Sequence, residues 1–166
     1  MTLCPSFPNL QINAADQDDP PQIVQLLTPY VSRKIVLARD EADIRSYLGN
    51  FLVARQTDGS LAACVALRDF GDGLQEIRSL VVAEHICGQG LGTAMIQAAL
   101  DKARQRRATR VLVLTLRPNL FLRLGFNIVD KEQFPQKVWQ DCRLCPKFHA
   151  CDETALLLTL PADSAL

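Results

Sequence analysis

At 166 residues, with 48% hydrophobic and 22% charged residues, the chain has the size and composition of a single domain that buries its own core. Eighteen basic and eighteen acidic residues give a formal net charge of zero, which argues against a nucleic-acid partner or an anionic membrane surface. No apolar run approaches the roughly 18 residues of a membrane span, and the N-terminus lacks a secretory pattern, so we expect a cytoplasmic protein.

Hydrophobic periodicity and turn residues predict an α/β protein with a mixed sheet and helices on both faces. We expect one domain over residues 10–160, flanked by a flexible tail at 1–9 and another at 161–166. The predicted elements, in chain order, are a strand at 10–13, a helix from Pro20 that Pro29 ends or bends, a helix at 41–48 capped by Asp40, hairpin strands at 51–54 and 61–67, a central strand at 76–82, a long helix at 91–107, a buried strand at 110–115, a helical turn at 118–123, a strand at 126–129, a cysteine-rich segment at 131–153 and a last strand at 154–160.

The glycine-bearing loop between the central strand and the long helix is the most informative stretch. Gly88, Gly90 and Gly92 allow the backbone to turn with its N–H groups facing outward and leave room for a ligand. The helix that follows adds unpaired N–H donors and the positive end of its dipole. A strand, a glycine loop and a helix in this order predict a site for phosphate or pyrophosphate.

Two common phosphate loops do not fit this sequence. A nucleoside-triphosphate loop needs Gly-Lys-Ser/Thr, whereas Gly92 is followed by Thr93 and Ala94. A dinucleotide loop needs a third glycine where Thr93 stands. The run Cys87 to Gly92 instead resembles the coenzyme A loop of the GNAT superfamily of N-acetyltransferases, Q/R-x-x-G-x-G/A, with Cys87 in the first position.

The resemblance implies the GNAT fold and acetyl-CoA as co-substrate. It also implies that the central strand pairs with the pantetheine arm, and that the motif from Asn119 to Phe126 flanks the same arm. The coenzyme-binding residues implied are Leu80, Val81, Val82, Cys87, Gly88, Gln89, Gly90, Leu91, Gly92, Thr93, Asn119 and Phe121. Many relatives have a tyrosine as general acid at the position of Phe121, so this chain must protonate the leaving thiolate in another way.

Within the superfamily the chain is most similar to the acetyltransferase domain of short-form N-acetylglutamate synthases. The residues that carry this likeness are 34–40, 76–82, 113–117, Phe121 and 124–126, together with the tail from Phe134 to Trp139 and on through Cys142, Cys145 and Cys151. The resemblance implies acetylation of the α-amine of L-glutamate, the first step of arginine biosynthesis. A Ser-Arg pair that contacts glutamate in some relatives is replaced here by Thr154 and Ala155. Alternatives are acetylation of another small amine, amino acid or protein N-terminus, or a non-catalytic acyl-CoA- or zinc-binding regulatory module. A homodimer is left open.

Acetyl transfer to an amine needs a proton acceptor for the ammonium and a donor for the oxyanion. Glu76 is our candidate base, acting directly or through water, against the alternative of a solvated residue at a strand end. Ser79 is the second catalytic candidate, and a backbone N–H among residues 80–82 would bind the oxyanion. The candidate substrate-binding residues are Lys34, Arg39, Arg78 and Thr115, the cations being suited to the two carboxylates of glutamate.

The cysteine-rich segment contains four potential metal ligands of the soft or borderline kind, all within one stretch of ten residues. Cys142, Cys145, His149 and Cys151 could enclose zinc tetrahedrally. Only one C-x-x-C is present, however, and the His-Cys spacing is tighter than in a standard zinc finger, so reduced cysteines that only pack remain the alternative.

Overall fold

The structure is a computed structural model that describes residues 2–3, 9–88, 90–134 and 152–161. The chain divides into two compact units, one formed by Met1–Arg68 and Ile77–Lys102 and the other by Asp69–Glu76 and Ala103–Leu166. Within the described ranges, no helix combines the length and the apolar character needed to cross a membrane.

The first unit contains strands β1 (Thr2–Leu3), β2 (Gln11–Ala14) and β3 (Phe51–Arg55), most of β4 (Leu61–Gly71) and the later part of β5 (Leu74–Val82). Their order is β1-β2-β3-β4-β5, and the first three pairs are antiparallel. The predicted hairpin at 51–67 is confirmed, with Phe51 opposite Ala66. The sequence predicts no strand before Leu10, so β1 is an addition.

Helix α1 (Pro20–Ser32) continues past the proline that was expected to end or bend it. Ending the helix at Pro29 is therefore wrong, since the helix runs three residues further. The last turn is held by bonds that do not need the missing N–H of Pro29. The Arg33 N–H donates to the Pro29 carbonyl at 3.3 Å, and the Ser32 hydroxyl donates to the Thr28 carbonyl at 3.0 Å.

Helix α2 (Glu41–Ser46) begins where the sequence predicted, because Asp40 caps it. The Asp43 N–H donates to the Asp40 carboxylate at 2.7 Å, which satisfies one of the free donors of the first turn. Helix α3 (Leu91–Gln105) follows the glycine loop. The apolar core of the first unit is formed by Ile23, Leu27, Ile44, Phe51, Val53, Leu61, Cys64, Ala66 and Val81.

A buried ion pair joins the start of α1 to β3. Asp19 has 1% of its surface exposed, and its Oδ2 accepts from Arg55 Nη2 at 2.7 Å and from the Asp16 N–H at 2.8 Å. Its other oxygen, Oδ1, has no hydrogen-bond partner among the described residues. The hydrogen bond from Arg55 to Asp19 raises the pKa of Arg55. One arginine therefore compensates a carboxylate that burial would otherwise strongly disfavour.

The second unit contains β6 (Arg110–Thr115), helix α4 (Pro118–Leu122), β7 (Asn127–Val129) and β8 (Thr154–Thr159). The strands lie in the order β6-β8-β7, and both pairs are antiparallel. As predicted, β6 is buried through its centre, at Val111 to Val113. Leu74, Leu112, Phe134 and Ala155 form the core of this unit.

Candidate active site

Strand β5 contains a non-glycine residue in the left-handed region. Ser79 has a φ of 53° and is 9% exposed. This conformation costs roughly 1–2 kcal/mol for an L-residue, and it interrupts the regular pleat of a strand just before Leu80, Val81 and Val82. Strained backbone of this kind concentrates at functional sites. The left-handed backbone of Ser79, the second catalytic candidate, is a feature that its side chain alone does not reveal.

The glycine loop follows β5 after one short helical turn at Glu84–Ile86. Gly88 and Gly90 have φ values of 85° and 87°, so the backbone itself requires glycine at both positions. Cys87, Gly88 and Gly90 are exposed, while the side chain of Leu91 is buried in the core. Gln89, predicted to bind the coenzyme, lies outside the described residues.

Neither the backbone conformation nor the packing of the protein requires glycine at position 92. It lies in the first turn of α3 without a positive φ, and a Cβ built on it has nothing within 4 Å. Glycine within a helix is less favourable than alanine by up to about 1 kcal/mol. The open space over Gly92, beside the N–H donors at the start of α3, fits a phosphate group that approaches the backbone closely.

The last turn of α1 contacts the segment that enters this loop. The hydroxyl of Tyr30 donates to the carbonyl of Val82 at 2.6 Å and lies 3.3 Å from Cys87 Sγ. Arg33 lies over the Tyr30 ring, with 5.8 Å from its Cζ to the ring centroid, and forms an ion pair with Glu84. Burial and the hydrogen bond with Cys87 raise the pKa of Tyr30 to about 12. At neutral pH the hydroxyl therefore keeps its proton and acts as a donor to Val82.

Tyr30 was not among the residues predicted from the sequence. Because the sequence analysis left open whether Pro29 ends or bends the helix, Tyr30 was not assigned to an element. Ile23, Leu27 and Tyr30 follow one another at helical spacing, and the first two are buried. Extending that pattern through the proline is the signal that would have found Tyr30.

Glu76 is buried, with 1% of its surface exposed, and it lies in the first half of β5. The alternative expectation, a solvated residue at a strand end, is therefore wrong. Its neighbour Gln75 is 2% exposed and accepts from Arg106 Nη1 at 3.1 Å. Because burying a carboxyl group is costly, a fully enclosed glutamate in a sheet strand is an unusual choice for a purely structural position.

The candidate substrate cations lie in the first unit. Lys34 is exposed just beyond α1 and has a φ of 59°. Arg39 is partly buried, and its Nη1 lies 3.4 Å from Asp43 Oδ2. Arg78 is half-buried on β5. The distance between Arg39 and Asp43 is long for an ion pair, so Asp43 holds the guanidinium of Arg39 only weakly.

Three further candidates lie in the second unit. Thr115 ends β6, and its hydroxyl oxygen accepts from the Arg117 N–H at 2.9 Å, which ties this side chain to its own turn. Asn119 is exposed on α4. Phe121 is 2% exposed and packs edge-on against Phe126, with 5.3 Å between ring centroids. Phe121 is thus a packing residue, with no proton to donate.

The thiol chemistry of the described residues gives no catalytic nucleophile in the core. Burial raises the pKa of Cys64 to about 12, so its thiol is neutral near pH 7. The four predicted zinc ligands, Cys142, Cys145, His149 and Cys151, lie outside the described residues. Within the described part of the chain, no group of three or more histidine, cysteine or acidic side chains is arranged to hold a metal ion.

The chain is similar to known acetyltransferases in sequence. The model of the Acetyltransferase (GNAT) family matches residues 16–126. An uncharacterized N-acetyltransferase from Chlorobaculum tepidum is 36% identical over 142 residues, which cover 86% of this chain and 91% of that protein. The amino-acid acetyltransferase of Mycobacterium tuberculosis is 31% identical over 135 residues, which cover 80% of this chain and 77% of that enzyme.

A solved structure extends the similarity to the fold. The N-acetylglutamate synthase from Neisseria gonorrhoeae, complexed with coenzyme A and N-acetyl-glutamate, aligns with a TM-score of 0.81 at 25% identity. The alignment covers 92% of this chain but 35% of the synthase, so this chain spans about a third of that protein's length. The predicted fold is confirmed as an α/β GNAT fold with a mixed sheet.

Proposed function

This chain belongs to the acetyltransferase (GNAT) family, and on that premise we propose that it acetylates the α-amine of L-glutamate. The family membership and the two relatives make it an N-acetyltransferase that uses acetyl-CoA. The choice of glutamate rests on one observation, the similarity over 92% of the chain to a synthase solved with N-acetyl-glutamate. The proposed reaction is the first step of arginine biosynthesis, carried out in the cytoplasm.

The coenzyme would be bound by the glycine loop and the start of α3. Its pyrophosphate would accept hydrogen bonds from backbone N–H groups at Gly88 to Thr93, and the pantetheine arm would follow Leu80 to Val82 of β5. The open space over Gly92 supports this placement. Cys87 supplies no cation, so in this proposal the backbone and the helix dipole provide the attraction for the phosphates.

We expect Gly92→Ala to weaken coenzyme A binding about tenfold, because the new methyl group would occupy space that the pyrophosphate needs. The same change should stabilise the free protein by up to about 1 kcal/mol, since alanine is the better helix former. Calorimetric titration with coenzyme A and urea unfolding measure the two effects. Gly49→Ala is the matched control, because a Cβ there also has nothing within 4 Å. If Gly92→Ala binds coenzyme A with unchanged affinity, the glycine loop is not part of the coenzyme site.

The proposed chemistry is direct transfer with no covalent acyl-enzyme. Glu76 accepts a proton from the ammonium of the substrate, directly or through one water, and the neutral amine attacks the thioester carbonyl. A backbone N–H in the segment that follows Ser79 stabilises the oxyanion. The carbon–sulfur bond of the tetrahedral intermediate then breaks, the nitrogen loses its second proton as the amide forms, and the leaving coenzyme thiolate takes up one proton. Phe121 cannot supply that proton, so we assign no side chain as general acid.

Recognition of glutamate needs positive charge for two carboxylates. Lys34, Arg39 and Arg78 are the proposed contacts in the first unit, with Thr115 as a further candidate. The 3.4 Å pair between Arg39 and Asp43 is long and partly exposed, and such pairs are worth about 0–1 kcal/mol, so the guanidinium is readily redirected to a ligand. A hydrogen bond to a charged ligand is worth about 1.5–3 kcal/mol.

Arg39→Ala is therefore expected to raise the KM for glutamate by about 10- to 100-fold while leaving the KM for acetyl-CoA within about twofold. The control is Arg45→Ala, since Arg45 also pairs with an acidic residue four positions away, at 2.8 Å from Glu41. Steady-state kinetics with each substrate varied in turn separate the two constants. An equal change in both KM values would place Arg39 outside the acceptor site.

The acceptor itself is tested by mass spectrometry of the products formed from acetyl-CoA and a panel of amino acids and polyamines. The proposal expects N-acetylglutamate to dominate. A different acetylated amine as main product would retain the coenzyme site and overturn the glutamate assignment. Ala155, which stands where some relatives have the arginine of a Ser-Arg pair, is 2% exposed in the core of the second unit. This observation favours another small amine or amino acid as the second candidate.

A further inference from the structure

The last turn of α1 holds the entrance of the glycine loop at three points. Tyr30 contacts Val82 and Cys87, and Arg33 pairs with Glu84. These three partners are successive parts of the segment that joins β5 to the loop. No feature of the reaction proposed above uses Tyr30, yet its hydroxyl is committed to this segment through a 2.6 Å hydrogen bond.

The hydrogen bonds of Tyr30 can be assigned from its chemistry. A phenol has one proton to donate and can also accept. The proton goes to the Val82 carbonyl at 2.6 Å, so the thiol of Cys87, at 3.3 Å, is left as donor to the phenol oxygen. The same thiol lies 3.6 Å from the Val82 carbonyl and 3.5 Å from the Ala83 carbonyl. Tyr30 and Cys87 therefore both lie beside the Val82 carbonyl, at the last residue of β5.

The ion pair contributes less than the tyrosine. The side chains of Arg33 and Glu84 are 56% and 51% exposed, and exposed pairs are worth about 0–1 kcal/mol. Tyr30 is half-buried, and a neutral hydrogen bond there is worth about 0.5–1.5 kcal/mol. Arg33 also packs over the ring and limits its movement.

We propose that Tyr30 is a positioning residue for coenzyme binding, which holds the entrance of the glycine loop in its binding conformation through Val82 and Cys87. The inference rests on the coenzyme site proposed above. A loop that populates its binding conformation only part of the time binds its ligand more weakly. The apparent Kd equals the intrinsic Kd divided by the fraction of molecules in the binding conformation. Once the coenzyme is bound, its own contacts fix the loop, so the chemical step does not depend on Tyr30.

The test is Tyr30→Phe, which removes the hydroxyl and keeps the ring under Arg33. The expected result is a rise of about 3- to 10-fold in the Kd for coenzyme A and in the KM for acetyl-CoA, with kcat and the KM for the acceptor unchanged. The matched control is Tyr47→Phe, because Tyr47 is the other tyrosine of the chain and is 60% exposed. If Tyr30 has a purely structural role, Tyr30→Phe should lower the unfolding temperature but should not raise the KM for acetyl-CoA at an unchanged kcat.

A double-mutant cycle tests the contact from the other side. Cys87→Ala should also weaken coenzyme A binding, and in the Tyr30→Phe background it should add less than about twofold, because the two residues act through one contact. Additive effects would overturn the proposed coupling. If Tyr30→Phe binds coenzyme A normally while Gly92→Ala does not, the positioning role alone is wrong. If both bind normally, the coenzyme loop itself is wrongly placed.

Discussion

Glu76→Gln is expected to lower turnover by about 10²- to 10⁴-fold, the range that general-base catalysis contributes, while coenzyme A binding stays within about twofold. Glutamine has the shape of glutamate but cannot accept the proton of the substrate ammonium. The side chain is 1% exposed, so isosteric replacement matters in order to avoid a cavity in the sheet. Single-turnover kinetics with saturating acetyl-CoA measure the effect on the chemical step.

Two readouts separate catalysis by Glu76 from a structural role. The first is the acid limb of the pH dependence of kcat/KM, which should disappear in the glutamine variant, because a carboxylate must lose its proton to act as a base. The second is partial recovery of turnover in Glu76→Asp. The exposed Glu132 provides a control, since Glu132→Gln should change neither rate nor pH profile. Turnover within about threefold of the unchanged protein would assign proton transfer to another group.

Arg55→Met is expected to cost about 3 kcal/mol of unfolding free energy, at the lower end of the range for breaking a buried ion pair. The carboxylate of Asp19 is buried, and Arg55 Nη2 is its charged partner at 2.7 Å, with a side chain that is 25% exposed. Removing the guanidinium leaves the carboxylate enclosed with one backbone donor, the N–H of Asp16. Since a domain is stable by about 5–15 kcal/mol, this loss is large, and urea unfolding measures it.

The double variant Asp19→Asn with Arg55→Met should be more stable than Arg55→Met alone, because it leaves no buried charge without compensation. Arg45→Met serves as the exposed control. Arg45 and Glu41 have side chains that are 46% and 50% exposed, so the loss there should be below about 1 kcal/mol. If Arg55→Met and Arg45→Met cost the same, burial of Asp19 has no energetic role.

Much of the fold could be predicted because its signals are local. β6 occupies the predicted residues 110–115, since a run of Val and Leu at that length indicates a strand enclosed on both faces. The start of α2 was predictable because the Asp40 cap acts within one turn. The continuation of α1 beyond Pro29 was left open, because a proline within a helical pattern can either end or bend the helix, and the apolar spacing through Tyr30 was not followed past it.

The site was predicted less completely, for physical reasons that individual residues show. The glycine spacing located the loop, because a positive φ at Gly88 and Gly90 selects glycine directly. The left-handed conformation of Ser79 leaves no mark in the sequence, since serine is ordinary in a strand. The contact from Tyr30 to Val82 joins residues 52 positions apart, and no local pattern encodes such a distance. The burial of Glu76 depends likewise on the whole sheet around it.

The buried thiol of Cys64 on β4 can be used to measure how often the first unit opens. Alkylating reagents attack thiolates, and this sulfur is fully buried and, with a pKa of about 12, almost entirely protonated near neutral pH. Modification of Cys64 must therefore wait until β4 separates from its neighbours. The rate at which iodoacetamide labels this one residue, followed by peptide mass mapping, counts the openings of the first unit under native conditions. A ligand that stabilises the first unit against opening would then slow the labelling of Cys64, and no dye or tag needs to be added.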